Sequence, residues 1–197
     1  MTANDILYLA SASLRRRELL GQLGLHFERI HADVDESVLA GELARDYVER
    51  LARAKADAGW QVVTRCGLPE RPLLAADTTV VVDGEIFAKP LDAADARRML
   101  RAYSGRTHQA ITAVTVRDAS RLELLTSVTD VTFRPLSDDD IERYINIEDV
   151  YDKAGAYGIQ GKASVFIARI EGSFTGVMGL PLFETAELLS RFGFVFP

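Results

Sequence analysis

The chain has 197 residues, 48% of them hydrophobic, a formal net charge of −6 at neutral pH and one cysteine. That length fits one domain, or two small lobes sharing a sheet, and the composition is too apolar for disorder. The acidic balance excludes a broad nucleic-acid-binding surface, so any phosphate site must be local. Cys66 alone excludes an internal disulfide and a cysteine zinc cluster. No basic-then-apolar leader is apparent, and no run approaches the roughly 18 apolar residues that a membrane span needs. A soluble, cytoplasmic protein is the expectation.

Leu7 to Ala10 reads as a buried strand, followed by the hydroxyl-rich turn Ser11-Ala12-Ser13 and a helix from Leu14 to Leu23 that stops at Gly24. Arg15, Arg16 and Arg17 fill the first turn of that helix. The helix dipole is positive there, and each cation costs roughly 0.3–1 kcal/mol. Free backbone N–H groups, serine hydroxyls and guanidinium forks together suit an anion such as phosphate. In the plainer reading Ser13 is only an N-cap and the arginines are solvated. Phe27 to Ile30 reads as a short strand. The acidic loop from His31 to Gly41 follows, carrying Asp33, Asp35 and Glu36. A helix from about Glu42 to Ala58 presents Tyr47, Val48, Leu51 and Ala52 on its apolar face, and Lys55 falls on the same stripe. A lysine there either snorkels to solvent or meets an anion.

Thr64 to Pro72 reads as a linker that contains Cys66. Leu73 to Val82 is a strand interrupted by Asp77-Thr78-Thr79, and Asp83-Gly84 signals a tight hairpin. Continuing that hairpin pairs Thr78 with Lys89 and brings Asp77 within one step of it. Asp92 caps a helix to Tyr103, with Ala96, Met99, Leu100 and Tyr103 inward. Gln109–Val116 and Leu122–Phe133 form a second antiparallel pair. Ser137 caps a helix bearing Asp138, Asp139 and Asp140, which suit its dipole without any metal. Residues 152–161 are too glycine-rich for either regular element. Ser164–Ile170 reads as a strand, and Gly179-Leu180-Pro181 opens the last helix.

Several residues stand out chemically. Asp77 sits in an apolar run, where a charge is costly unless it is paired, and a carboxylate so placed can activate water or hold a divalent cation. Glu36, with Asp33 and Asp35, can complete a metal site with Asp77, or the acidic loop is simply solvated. The glycine-rich loops 155–161 and 172–179 allow close backbone approach to a ligand but lack phosphate-loop or dinucleotide-fold spacing. Gln160, between Ile159 and Gly161 in the first loop, can read a base edge with its amide. His26, His31 and His108 have no ligand spacing and read as structural, and neither Ser11 nor Ser13 has a nearby base.

Taken together, SASLRRREL at 11–19, RLARAKA at 50–56, AADTTV at 75–80, AKP at 88–90, DKAGAYGIQG at 152–161 and GSFTGVMGLPL at 172–182 resemble the Maf family of nucleoside triphosphate pyrophosphatases. The motifs keep the family's order and cover nearly the whole chain. Leu14 stands where the family usually has proline, and Ala76 where a glycine is frequent. The resemblance implies one α/β domain over 1–197, elongated and two-lobed, with a mixed twisted sheet flanked by helices and a central cleft, often as a homodimer. It implies hydrolysis of a nucleoside triphosphate to monophosphate and pyrophosphate with a divalent metal, magnesium or manganese. Asp77 would be the proton acceptor. Arg15, Thr78 and Gln160 match the positions that set base choice. Ser11, Arg16 and Lys89, with Lys55, would hold phosphate, and Glu36 with Asp77 the metal. Arg17 is expected to be a solvated bystander. The DKAGAYGIQG form is similar to the subfamily acting on dTTP and UTP. The alternatives are a pyrophosphatase for 7-methyl-GTP or another modified nucleotide, and a nucleotide-binding regulator of septum formation. Neither a nucleic acid nor a membrane is expected as a partner.

Overall fold

The fold is seen in a computed structural model that describes residues 6–196. Its centre is a mixed, seven-stranded sheet in the order β2-β1-β3-β5-β6-β7, with β4 beside β3. The strands are β1 (Ile6–Leu9), β2 (His26–Arg29), β3 (Leu73–Val82), β4 (Glu85–Phe87), β5 (Thr107–Arg117), β6 (Leu122–Phe133) and β7 (Ile167–Glu171). The helices are α1 (Leu14–Gln22), α2 (Ala44–Arg65), α3 (Ala93–Tyr103), α4 (Asp138–Ile147), the single turn α5 (Phe174–Val177) and α6 (Leu182–Arg191). β1 runs parallel to β2 and β3, and every other pairing is antiparallel.

Period-two alternation divides β3 between two environments. Its odd positions, Leu73 and Ala75, pack with Ala56 and Val63 of α2. Further along the same face Tyr47, Val48 and Leu51 of α2 cover Ile111 and Ala113 of β5. The even positions face two separate clusters. Leu74 and Ala76 join Leu19, Leu20, Leu188 and Leu189 of α1 and α6. Val80 and Val82 join Met99, Tyr103, Ile141 and Tyr144 of α3 and α4. Thr78 lies at the seam between those clusters.

The edge of β3 is forked. β1 pairs with it at Leu73 and Leu74, and β4 pairs with it from Val80 to Val82. Among the described residues no strand pairs with positions 75–79 on that side, so the middle of a central strand opens outward. This fork keeps the expected hairpin register but cuts the hairpin short. The turn at Asp83-Gly84 forms and Val82 faces Glu85, but β4 ends at Phe87 opposite Val80, so Thr78 never pairs with Lys89.

Two further readings are corrected. α2 runs past its expected end near Ala58 to Arg65, into the first two residues of the supposed linker, leaving Cys66 as its exposed C-cap. Gly59 does not break this helix because it is where helix and sheet touch. A Cβ there would lie 2.8 Å from Leu73 Cδ1 and 3.0 Å from Ala10 Cβ. The segment expected as a strand from Ser164 is a 3-10 turn over Lys162–Phe166, and β7 begins only at Ile167. Its buried residues, Ala163 and Phe166, are three apart, which matches the period of that helix rather than of a strand. The remaining caps behave as read. Ser13 accepts from Arg16 N and Asp92 from Asp95 N, and Ser137 with Asp140 forms a capping box.

Candidate active site

The fork opens into a cleft of about 1060 Å³ whose walls include Ser11, Arg15, Arg16, Glu36, Lys55, Asp77, Thr78, Lys89 and Gln160. The residues given a site role by the resemblance therefore line one cleft, delivered by the β1–α1 turn, α1, the β2–α2 loop, α2, β3, the segment after β4 and the loop after α4.

Asp77 is 6% exposed on the odd face of β3. Lys55 does not snorkel out. Its Nζ donates to Asp77 Oδ1 at 2.6 Å and lies 2.6 Å from Glu36 Oε1. One ammonium thus bridges two carboxylates of unlike surroundings. Burial pushes the Asp77 carboxyl above its ordinary value, against the pull of Lys55 and Arg16. Burial also acts to raise Glu36, but Lys55, Lys89 and Arg16 outweigh it and hold that carboxyl below the usual range. The pair is split into a more basic buried carboxylate and a firmly ionised, half-exposed one.

Glu36 rides on a loop that α2 ties down. The Tyr47 hydroxyl donates to the Glu36 carbonyl at 2.9 Å, and Arg50 Nη2 donates to the Ser37 carbonyl at 2.9 Å. Burial, followed by the charges of Asp77 and Glu36, pushes the Tyr47 hydroxyl up to about 12, so it stays a donor. Asp33 and Asp35 do not reach the pair. Asp35 Oδ1 accepts from Ser37 N at 2.9 Å and closes a turn, while Asp33 lies 3.6 Å from His31 on the surface.

Arg16 occupies the opposite wall. Its Nε donates to the Gly179 carbonyl at 2.7 Å, Nη1 to Ser11 Oγ at 3.3 Å and Nη2 to Thr78 Oγ1 at 3.1 Å. Those three bonds leave two of the five guanidinium N–H groups for a ligand. Arg15 instead reaches Asp152 Oδ2 at 3.4 Å. Lys89 and Gln160 are exposed on the cleft rim, with no side-chain partner among the described residues. Arg17 is not the solvated bystander expected. It is half-buried, and its Nε is shielded without a partner.

The sequence reading missed Tyr47 and Arg50 as loop straps, and it missed Lys153. Lys153 is buried, with Nζ donating to the Asp149 carbonyl and, at 2.7 Å, to Asp152 Oδ1. Its stem lies under Gly158, where a Cβ would sit 3.1 Å from Lys153 Cε and 3.3 Å from Arg15 Nη1. A lysine beside an aspartate in a polar loop carries no periodic signal of burial. Of the histidines read as structural, only His108 is buried; His26 and His31 are exposed, His31 on the cleft wall. His108 is buried against the Tyr157 hydroxyl at 2.8 Å, and Asp138 and Asp140 pair with Arg101 and Arg134.

A divalent cation fits the carboxylate pair. Two oxygen ligands converging on one cationic position are a hard donor set. Magnesium is commonly held by one or two carboxylates, with phosphate oxygens and water completing its shell. No group of three or more histidine, cysteine or acidic residues suited to a metal occurs among the described residues, so a full protein cage is not what this site offers.

The cleft suits a phosphate-rich anion, with two carboxylates and Lys55 at the floor and Arg15, Arg16 and Lys89 around them. The chain belongs to the Maf-like protein family, whose profile matches residues 6–192. A dTTP/UTP pyrophosphatase of Chromobacterium violaceum is 69% identical over the full length of both chains. Proteins of the same name from Ralstonia nicotianae and Aromatoleum aromaticum are 53% and 51% identical, over 94% and 95% of this chain and 93% and 96% of their own.

Proposed function

We propose that this chain hydrolyses dTTP and UTP to the nucleoside monophosphate and pyrophosphate. The observation that carries the reading is the Lys55 ammonium held 2.6 Å from both Asp77 and Glu36 at the floor of an arginine-walled cleft. The names of the full-length relatives support the substrate pair.

In this reading Asp77 accepts a proton from water as the water oxygen bonds to the α-phosphorus. The α–β anhydride bond breaks, and its electron pair leaves with pyrophosphate. Burial suits Asp77 to this role, because it raises the affinity of the carboxylate for a proton. Asp77 and Glu36 would hold magnesium or manganese, which supplies charge stabilisation on the phosphate oxygens. Arg16, Lys55, Lys89 and Ser11 hold the phosphates, and in-line attack depends on that positioning. Arg15, Thr78 and Gln160 select the base. The reading includes a homodimer in the cytoplasm, carried by the family resemblance. No helix among the described residues is long and apolar enough to cross a membrane.

Pyrophosphate release from dTTP, UTP and 7-methyl-GTP, with magnesium or manganese, tests the assignment. Turnover of the first two is expected, and turnover of 7-methyl-GTP alone would replace the substrate class. Asp77→Asn should reduce kcat by at least about a thousandfold while nucleotide still binds by calorimetry. Retained turnover in that variant removes Asp77 from the chemistry.

A further inference from the structure

Thr78 Oγ1 has three sides, and two of them are occupied. Arg16 Nη2 donates to it at 3.1 Å. On the neighbouring strand Thr112, in register with Thr78, places its own Oγ1 at 2.9 Å. Either hydroxyl could donate in that pair taken alone, but a third contact decides. Thr112 Oγ1 also lies 2.8 Å from the Gly176 carbonyl oxygen, which can only accept. Two oxygens at that distance without a proton between them repel, so the one Thr112 proton lies on the Gly176 contact. The Gly176 carbonyl is fixed in turn, because it also accepts from Gly179 N at 2.9 Å and Gly176 N donates to Ser173 Oγ at 3.0 Å.

The proton between the two threonines must then come from Thr78. Its hydroxyl donates to Thr112 and accepts from Arg16, which leaves one lone pair and no proton for the cleft. Gly179, at φ 113° with its absent Cβ 3.6 Å from Thr78 Oγ1, keeps the approach clear. We infer that Thr112, fully buried and not itself part of the cleft wall, is a positioning residue that locks Thr78 as an obligate hydrogen-bond acceptor toward the substrate base. The group read by Thr78 is therefore a donor. Uracil and thymine present an N3–H donor, whereas cytosine presents a bare lone pair at N3. Set against N3 rather than position 4, where the cytosine amino group would donate, the relay favours UTP and dTTP over CTP. This inference rests on the pyrimidine-triphosphate reading above and ranks substrates within it.

The test is the ratio of kcat/KM for UTP to that for CTP. It should favour UTP in the wild-type enzyme. Thr112→Val keeps the shape but removes the acceptor, so Thr78 can turn its proton to the cleft and the ratio should fall about tenfold, the scale of one hydrogen bond. Thr112→Ser restores the hydroxyl and should restore the ratio. A merely structural loss at Thr112 would slow both substrates alike and leave the ratio unmoved, which overturns the inference, as does a serine variant that behaves like valine. Should Thr112→Val not fold, Thr78→Val at the half-buried cleft wall decides: a retained preference for UTP refutes the relay, and a lost one supports it. A wild-type enzyme that hydrolyses UTP without preferring it to CTP defeats this inference alone. One that releases no pyrophosphate from any pyrimidine triphosphate defeats the functional reading and this inference together.

Discussion

Lys55 is the residue on which the floor of the cleft depends. With only 12% of its side chain exposed, and 9% of that of Asp77, neither charge can rely on water. Breaking such a buried pair from one side leaves an uncompensated charge and typically costs 3–5 kcal/mol. Lys55→Met should therefore lower unfolding stability by about 3 kcal/mol in urea titration, whereas Lys55→Met with Asp77→Asn should regain most of it. Additive losses in the double variant would show that the ion pair does not carry the effect. Both partners were legible in the sequence for one reason. Each is a charge at a position where the periodic pattern demands an apolar side chain, Asp77 in a strand and Lys55 on a helix stripe. Thr112 was illegible for the opposite reason. Threonine belongs in strands anyway, so nothing in β5 separates a relay hydroxyl from an ordinary β-former. Asp33 and Asp35 misled because acidic residues near Glu36 look alike until turn geometry shows which carboxylates are already bonded.

At the scale of elements, α2 both covers one face of the sheet and restrains the loop that bears Glu36. Tyr47→Phe removes the hydroxyl bond to the Glu36 carbonyl, worth about 1 kcal/mol of local stability. Amide exchange over residues 34–38 should quicken, and the magnesium concentration for half-maximal turnover should rise with kcat little changed. Unaltered exchange would assign the tether to Arg50 alone. β3, α3 and α4 were readable because burial, caps and turn residues agree there. The end of α2 was not, since a glycine in a helix reads as a stop unless the close approach of Leu73 and Ala10 is known. The length of β4 was equally hidden. The hairpin turn specifies register at its tip, but where the two strands separate is decided by what wedges between them.

For the whole molecule, His108 couples folding to pH. Burial alone pushes its imidazole down to about 3, and the groups around it are the hydroxyls and rings of Tyr157, Tyr103 and Phe133. Below the ordinary value of 6.5 the unfolded chain takes up a proton that the folded chain refuses. Stability from this source is complete above pH 6.5 and lost as pH falls toward 3, at about 1.4 kcal/mol per pH unit. His108→Gln should flatten the stability curve between pH 6.5 and 4 relative to wild type, and parallel curves would show that the imidazole does not report this burial.

The pleat of β3 gives the cleft a property that neither wall has alone. Asp77 and Thr78 are consecutive, so their side chains leave the strand on opposite faces, one toward α2 and the other toward α1 and the loop before α6. On the proposed reading, bond breaking and base choice are insulated from each other by the thickness of a single backbone. A lineage could then retune the selective face, through positions 78, 112 and 176, while the hydrolytic face is left intact. The same arrangement makes the strand intolerant of insertion or deletion upstream of residue 77, because one step of slippage would exchange the two functions.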